Sequence, residues 1–187
     1  MVERIQLDNN ATTPLSPAVR DAMVGCWESL DGNPSSQHQG GQQARCWLEE
    51  ARDAILKSLG ADPKDRLVFT SGGTESNHLA LLGLIGDSPS HVLVSAIEHP
   101  SLLGAATLLR ANGHQVDFIP VNNRGYVEPE SVRRLLTPAT RLVSVMLANN
   151  ETGGLQPVRE LAQLCRQWSR WRRVVCGLDC TQVCAAE

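Results

Sequence analysis

From residue 66 onward the sequence alternates short apolar runs with longer stretches of helical period, and this rhythm is what most constrains the fold. Leu67-Val68-Phe69-Thr70, Val92-Leu93-Val94-Ser95, Val116-Asp117-Phe118-Ile119, Leu142-Val143-Ser144-Val145-Met146 and Val174-Val175-Cys176 have the length and composition of strands. Helices are predicted between them over roughly 75–84, 101–111, 129–136 and 157–171. Antiparallel neighbours can be joined by tight turns, whereas parallel neighbours need a crossover of about a dozen residues or more, usually a helix. The pattern therefore predicts an α/β chain with a mostly parallel sheet. In such sheets ligands bind beyond the carboxyl ends of the strands, so the loops that follow the strands are where chemistry is expected.

Two further helices precede the alternation. Ser16-Pro17 reads as an N-cap and first helical position, with Val19, Met23 and Leu30 on one face. After the breaker cluster at 31–36, a longer helix carries Ala44, Trp47, Leu48, Ala51, Ile55, Leu56 and Leu59 and is closed by Gly60 at C′. Residues 1–60 are thus expected to form an N-terminal segment, and 61–187 part of a ligand-binding domain.

Charge and composition narrow the class. A net charge of −3, with 17 Lys+Arg against 20 Asp+Glu, provides no basic field for nucleic acid, despite the local cluster of Arg166, Arg170, Arg172 and Arg173. No apolar run reaches the roughly 18 residues of a membrane span, and the start lacks the order of a signal peptide, so a cytoplasmic protein is expected. Six cysteines without a CxxC pair suit reduced thiols and no metal. Cys176, Cys180 and Cys184 recur every fourth residue and read as buried small side chains rather than ligands. Lys57 and Lys64 are the only lysines.

Four loops carry candidate chemistry. Residues 70–77, Thr-Ser-Gly-Gly-Thr-Glu-Ser-Asn, follow a strand and open a helix; free N–H groups and the Thr74 hydroxyl would favour an anion there, though a Gly-rich turn with Thr74 as cap reads equally well. His99, at a strand end before Pro100 and Ser101, can stack on or protonate a ligand, or simply cap the helix. His38, His78, His91 and His114 are read as solvated or capping. Asn149-Asn150-Glu151-Thr152-Gly153-Gly154 offers neutral polar contacts, or an ordinary turn. Asp179, beside an apolar run, needs a cationic partner if buried, and a protonated ring nitrogen would serve. A phosphate, a stacking imidazole, neutral contacts and an anion for a ring nitrogen are together what pyridoxal phosphate requires.

Here the sequence resembles the cysteine desulfurase family, including selenocysteine lyases, within the class V aminotransferase group. The resemblance is carried by residues 7–14 (Leu-Asp-Asn-Asn-Ala-Thr-Thr-Pro), 32–36 (Gly-Asn-Pro-Ser-Ser), 69–77, Glu98-His99, 149–153 and Asp179-Cys180-Thr181-Gln182. It implies a fold-type I large domain, a three-layer α-β-α arrangement, that takes L-cysteine or selenocysteine, passes sulfur to an enzyme cysteine as a persulfide and releases alanine. By motif position, Gly73 and Thr74 would hold the cofactor phosphate and His99 would stack on the ring and assist proton transfer. Asn150 would contact the cofactor or substrate, Asp179 would pair with the ring nitrogen, and Gln182 would reach the ring hydroxyl. A homodimer and a sulfur-acceptor scaffold protein are the implied partners, and iron–sulfur cluster or other sulfur-carrier biosynthesis the implied setting.

The pattern is not complete. Many members carry a histidine where Gly177 stands, and a small alanine where Cys180 stands. The Ser-x-His-Lys motif with the cofactor-carrying lysine, the persulfide cysteine and the C-terminal domain are expected beyond Glu187, and neither Lys57 nor Lys64 is placed to substitute. The polypeptide alone is therefore expected to be the truncated and inactive N-terminal part of a desulfurase. A catalytically dead binding or dimerising module and another class V enzyme stay open as alternatives.

Overall fold

The computed structural model describes residues 13–29 and 31–168 in full, and residues 174–178 and 182–186 as backbone. The chain divides into two units, Met1–Phe69 and Thr70–Glu187.

The first unit holds α1 (Pro17–Ser29) and α2 (Gln39–Ser58). Helix α1 starts where the Ser16 Oγ accepts from the Val19 N–H at 3.3 Å, with Pro17 at the first position, and it buries no residue. Helix α2 is capped by His38, whose Nδ1 accepts from Gly41 N–H at 3.3 Å. At its other end Gly60 turns left-handed at φ 64°; Gly60 N–H bonds Lys57 O and Ala61 N–H bonds Leu56 O, the paired bonds of a Schellman stop. The turn between the helices is so tight that a Cβ on Gly32 or Gly41 would overlap the backbone of Gly40 or of Asn33 and Ser36.

Residues 67–70, expected as a strand, pair with nothing in a ladder. Arg52 takes the Leu67 carbonyl instead and lays its guanidinium 5.0 Å from the Phe69 ring centre, while Val68 stays exposed. The apolar run makes the segment extended, but a strand needs a neighbour, and none stands beside it among the described residues.

In the second unit α3 (Gly73–Ile85), β1 (His91–Ser95), α4 (Pro100–Ala111), β2 (Gln115–Ile119), α5 (Pro129–Leu135), β3 (Thr140–Ser144) and α6 (Val158–Trp168) alternate as expected. β1 pairs parallel with both β2 and β3, giving the order β2-β1-β3. The pleat sorts the core into two layers. Val92, Val94, Val116 and Leu142 face Leu81, Ile85, Leu102 and Leu109 of α3 and α4; Leu93, Ile119 and Val143 face Val132, Leu161 and Leu164 of α5 and α6. This is the three-layer α-β-α sandwich, and each fully buried Val or Leu contributes roughly 1.5–3 kcal/mol.

Two details depart from the sequence expectation. β3 stops at Ser144 rather than Met146, because Met146 N–H is taken by the Glu98 carboxylate at 2.7 Å instead of a neighbouring strand. β4 (Val174–Leu178) pairs antiparallel with β5 (Gln182–Ala186), so Gln182, expected in a loop, opens a strand opposite Leu178. The same register sets Cys176 opposite Cys184. Asp179 and Cys180 lie outside the described residues. No helix among the described residues is long and apolar enough to cross a membrane, and no group of three metal-ligating side chains occurs among them.

Candidate active site

Three loops converge at the carboxyl ends of the sheet, each tied to the next by a named hydrogen bond. The first leads into α3. Gly72 is the N-cap, extended at φ 164°, and contributes no side chain to cap the helix, so the amides of the first turn point outward unshielded. A Cβ placed on Gly72 would meet nothing within 4 Å. The turn is braced from outside: Thr70 Oγ1 donates to Gly72 O at 3.1 Å and sits 2.6 Å from Ser76 Oγ. Glu75 Oε2 accepts from both the N–H and the hydroxyl of Ser71 at 2.6 Å each. Those two bonds hold the Glu75 carboxyl below its usual range. Free first-turn amides, the exposed Thr74 hydroxyl and the positive end of α3 form a donor set that fits a phosphate dianion.

The second loop ends β1. Glu98 is 5% exposed and its Oε1 accepts from Ser95 Oγ and from Met146 N–H, locking this loop to the end of β3. Next to this anchor, His99 is exposed at the N-cap of α4. Its Nδ1 accepts from Ser101 N–H at 3.1 Å and lies 2.7 Å from Ser101 Oγ. Asn77, buried on α3, donates from Nδ2 to the same Ser101 Oγ at 3.0 Å. The helix start bearing Gly73 and Thr74 and the helix start bearing His99 are thereby joined side by side.

The third loop follows β3. Asn149 Oδ1 accepts from Glu151 N–H, Thr152 N–H and Thr152 Oγ1 at 2.9–3.1 Å, closing a turn completed by Gly153 at φ 71°. Its Nδ2 donates to Ile97 O at 3.2 Å, fastening this loop to the one that carries His99. Asn150 is the exposed residue next to it.

Of the residues singled out in sequence, Gly73, Thr74, His99 and Asn150 therefore sit on three interlinked loops. Gln182 is described only as the first residue of β5, and Asp179 lies outside the described residues. The residues that do the linking, Asn77, Glu98, Ser101 and Asn149, were not assigned that part. Their signal was present in the strings at 76–77, 98–101 and 149–150, but a turn or cap role and a bridging role look alike before the strands are assembled. Two histidines also differ from expectation. His91 is 1% exposed, between Thr140 Oγ1 at 2.7 Å and the Asp117 carboxylate at 3.0 Å, because three strands bring these positions together at the opposite end of the sheet. His114 is buried as well.

A parallel sheet with helices on both faces defines a three-layer α/β class of protein, and the chain belongs to the aminotransferase class-V family, whose pattern it matches over residues 5–184. Among curated relatives, the cysteine desulfurase IscS of Dictyoglomus turgidum is 37% identical over 171 residues, 90% of this chain and 43% of its own length. Among solved structures, a NifS-like protein superposes with a TM-score of 0.86 at 32% identity, over 93% of this chain and 48% of its own. SspA in complex with cysteine superposes with a TM-score of 0.82 at 29% identity, over 89% and 48%. The chain spans less than half the length of the curated relatives it matches.

Proposed function

We propose that this chain is the phosphate-gripping and proton-handling part of a pyridoxal-phosphate-dependent cysteine desulfurase. The observation that carries the proposal is the Asn77–Ser101–His99 bridge, which sets an uncapped helix N-terminus beside an exposed imidazole. When bound, pyridoxal phosphate supplies the electron sink that lets bonds to an amino acid's Cα break. Gly73, Thr74 and their amides would hold the phosphate, His99 would lie against the ring and handle a proton, and Asn150 would orient cofactor or substrate. Asp179 would pair with the ring nitrogen, and Gln182 would reach the ring hydroxyl. In the net reaction L-cysteine and an enzyme thiol become L-alanine and an enzyme persulfide, with sulfur the only heavy atom transferred. Sulfur transfer rather than transamination is supported by the desulfurase relatives and by the cysteine held by a structural neighbour. Residues 1–60 as an N-terminal segment, 61–187 as part of the cofactor-binding domain, a homodimer, a sulfur-acceptor scaffold, a cytoplasmic location and a role in iron–sulfur cluster assembly belong to the same proposal.

The test is to incubate the protein that carries this chain with pyridoxal phosphate and L-cysteine and to count products. Alanine should appear in step with transferable sulfur, and His99→Ala should slow turnover by about a hundredfold or more. Alanine release unaffected by His99→Ala, or a keto-acid product in place of sulfur, would overturn the proposal.

A further inference from the structure

The structure assigns Ser101, oriented by Asn77, as the positioning residue that holds the neutral His99 ring in one tautomer, with its proton on Nε2. The chain of donors leaves little choice. Ser101 backbone N–H points at His99 Nδ1 at 3.1 Å, and an N–H can only donate, so that nitrogen is an acceptor. Asn77 Nδ2 donates to Ser101 Oγ at 3.0 Å, which occupies one of its lone pairs and leaves the hydroxyl proton to be given elsewhere. The acceptor within reach of that proton is again His99 Nδ1, at 2.7 Å. Two donors converge on Nδ1, and the proton of a neutral imidazole must then sit on Nε2. Asn77 is 3% exposed and its bond to Ser101 is partly buried, whereas the Ser101–His99 contacts lie at the surface.

The consequence for chemistry rests on the desulfurase proposal: with its proton on Nε2, neutral His99 offers a hydrogen-bond donor on that side, while its Nδ1 lone pair is engaged by the Ser101 N–H. Its first task at the site is therefore to donate a hydrogen bond to the substrate or cofactor side.

Long-range proton–nitrogen NMR of the histidine rings of this chain reads the tautomer without cofactor or turnover. The expected result is a single Nε2–H form for His99 in the unmodified protein. Ser101→Ala keeps the backbone N–H that points at Nδ1 and removes the hydroxyl, so Nε2–H should stay the main form with a measurable Nδ1–H minority, and Ser101→Thr should remove that minority. Asn77→Asp, which replaces the donor by an acceptor that pulls the hydroxyl proton away, should shift the population toward Nδ1–H. An Nδ1–H form in the unmodified protein, or a tautomer unmoved by Ser101→Ala, would overturn the assignment. These outcomes are separable from the failure of the desulfurase proposal: His99→Ala with full alanine release would sink that proposal while leaving the tautomer measurement untouched.

Discussion

Glu75 sits one turn into α3, and its carboxylate gathers two Ser71 donors at 2.6 Å. Its carboxyl titrates below the ordinary value of 4.5, first because of the Ser71 hydroxyl and then because of the Ser71 amide. The folded value is the lower one, so the brace on the 70–74 turn is in full force above 4.5 and is lost as pH falls through the depressed folded value. The protection factor of the Ser71 amide, its exchange relative to an unstructured amide at the same pH, should therefore fall between about pH 6 and about pH 3, and Glu75→Gln should abolish that dependence; a Ser71 amide equally protected at both pH values would show that the carboxylate does not hold the turn. At this scale the sequence was legible where chemistry is local. Pro17, Gly60 and His38 act as the starts and stops their types imply. It was not legible where a side chain's partner lies far along the chain, as for His91 with Asp117 and Thr140, or Asn77 with Ser101.

At the scale of elements, period and punctuation located, among the described residues, all six helices and four of the five strands to within a few residues. The failures share a cause, which is that a strand is defined by its neighbour. Residues 67–70 have the composition of a strand and no partner, whereas β5 is paired through β4 without an apolar alternation that announces it. The outer edge of β2 shows the same logic from the other side. Arg110 Nε donates to Val116 O at 3.1 Å and its guanidinium lies 4.9 Å from the Phe118 ring centre, so a charged side chain shields part of an edge that a further strand could otherwise extend. One side chain also ties two loops together: Gln156, buried, donates to Gly125 O at 2.9 Å and accepts from Val127 N–H at 2.8 Å, while its own N–H reaches Leu147 O. Gln156→Ala strands the Val127 amide and should cost about 1–3 kcal/mol, seen as a lower midpoint in thermal unfolding and faster exchange at Val127. An unchanged midpoint would mean that the 121–128 turn stands without it.

Across the whole molecule, the order of strands and helices was readable because hydrophobic periodicity is dictated by burial on two faces of one sheet. Two of the three loops of the candidate site follow strands, the place a parallel sheet reserves for ligands, while the first follows the unpaired 67–70 segment. What joins those loops, the bonds from Asn77 to Ser101, from Asn149 to Ile97 and from the Met146 N–H to Glu98, depends on strand order and is not written in any local string. The most direct measurement is a crystal structure of the protein that carries this chain, grown with pyridoxal phosphate. The phosphate should lie against the Gly73 and Thr74 amides, the ring against His99 and its nitrogen against Asp179. A cofactor bound elsewhere, with water alone in front of Gly72 and His99 turned away from it, would contradict the site.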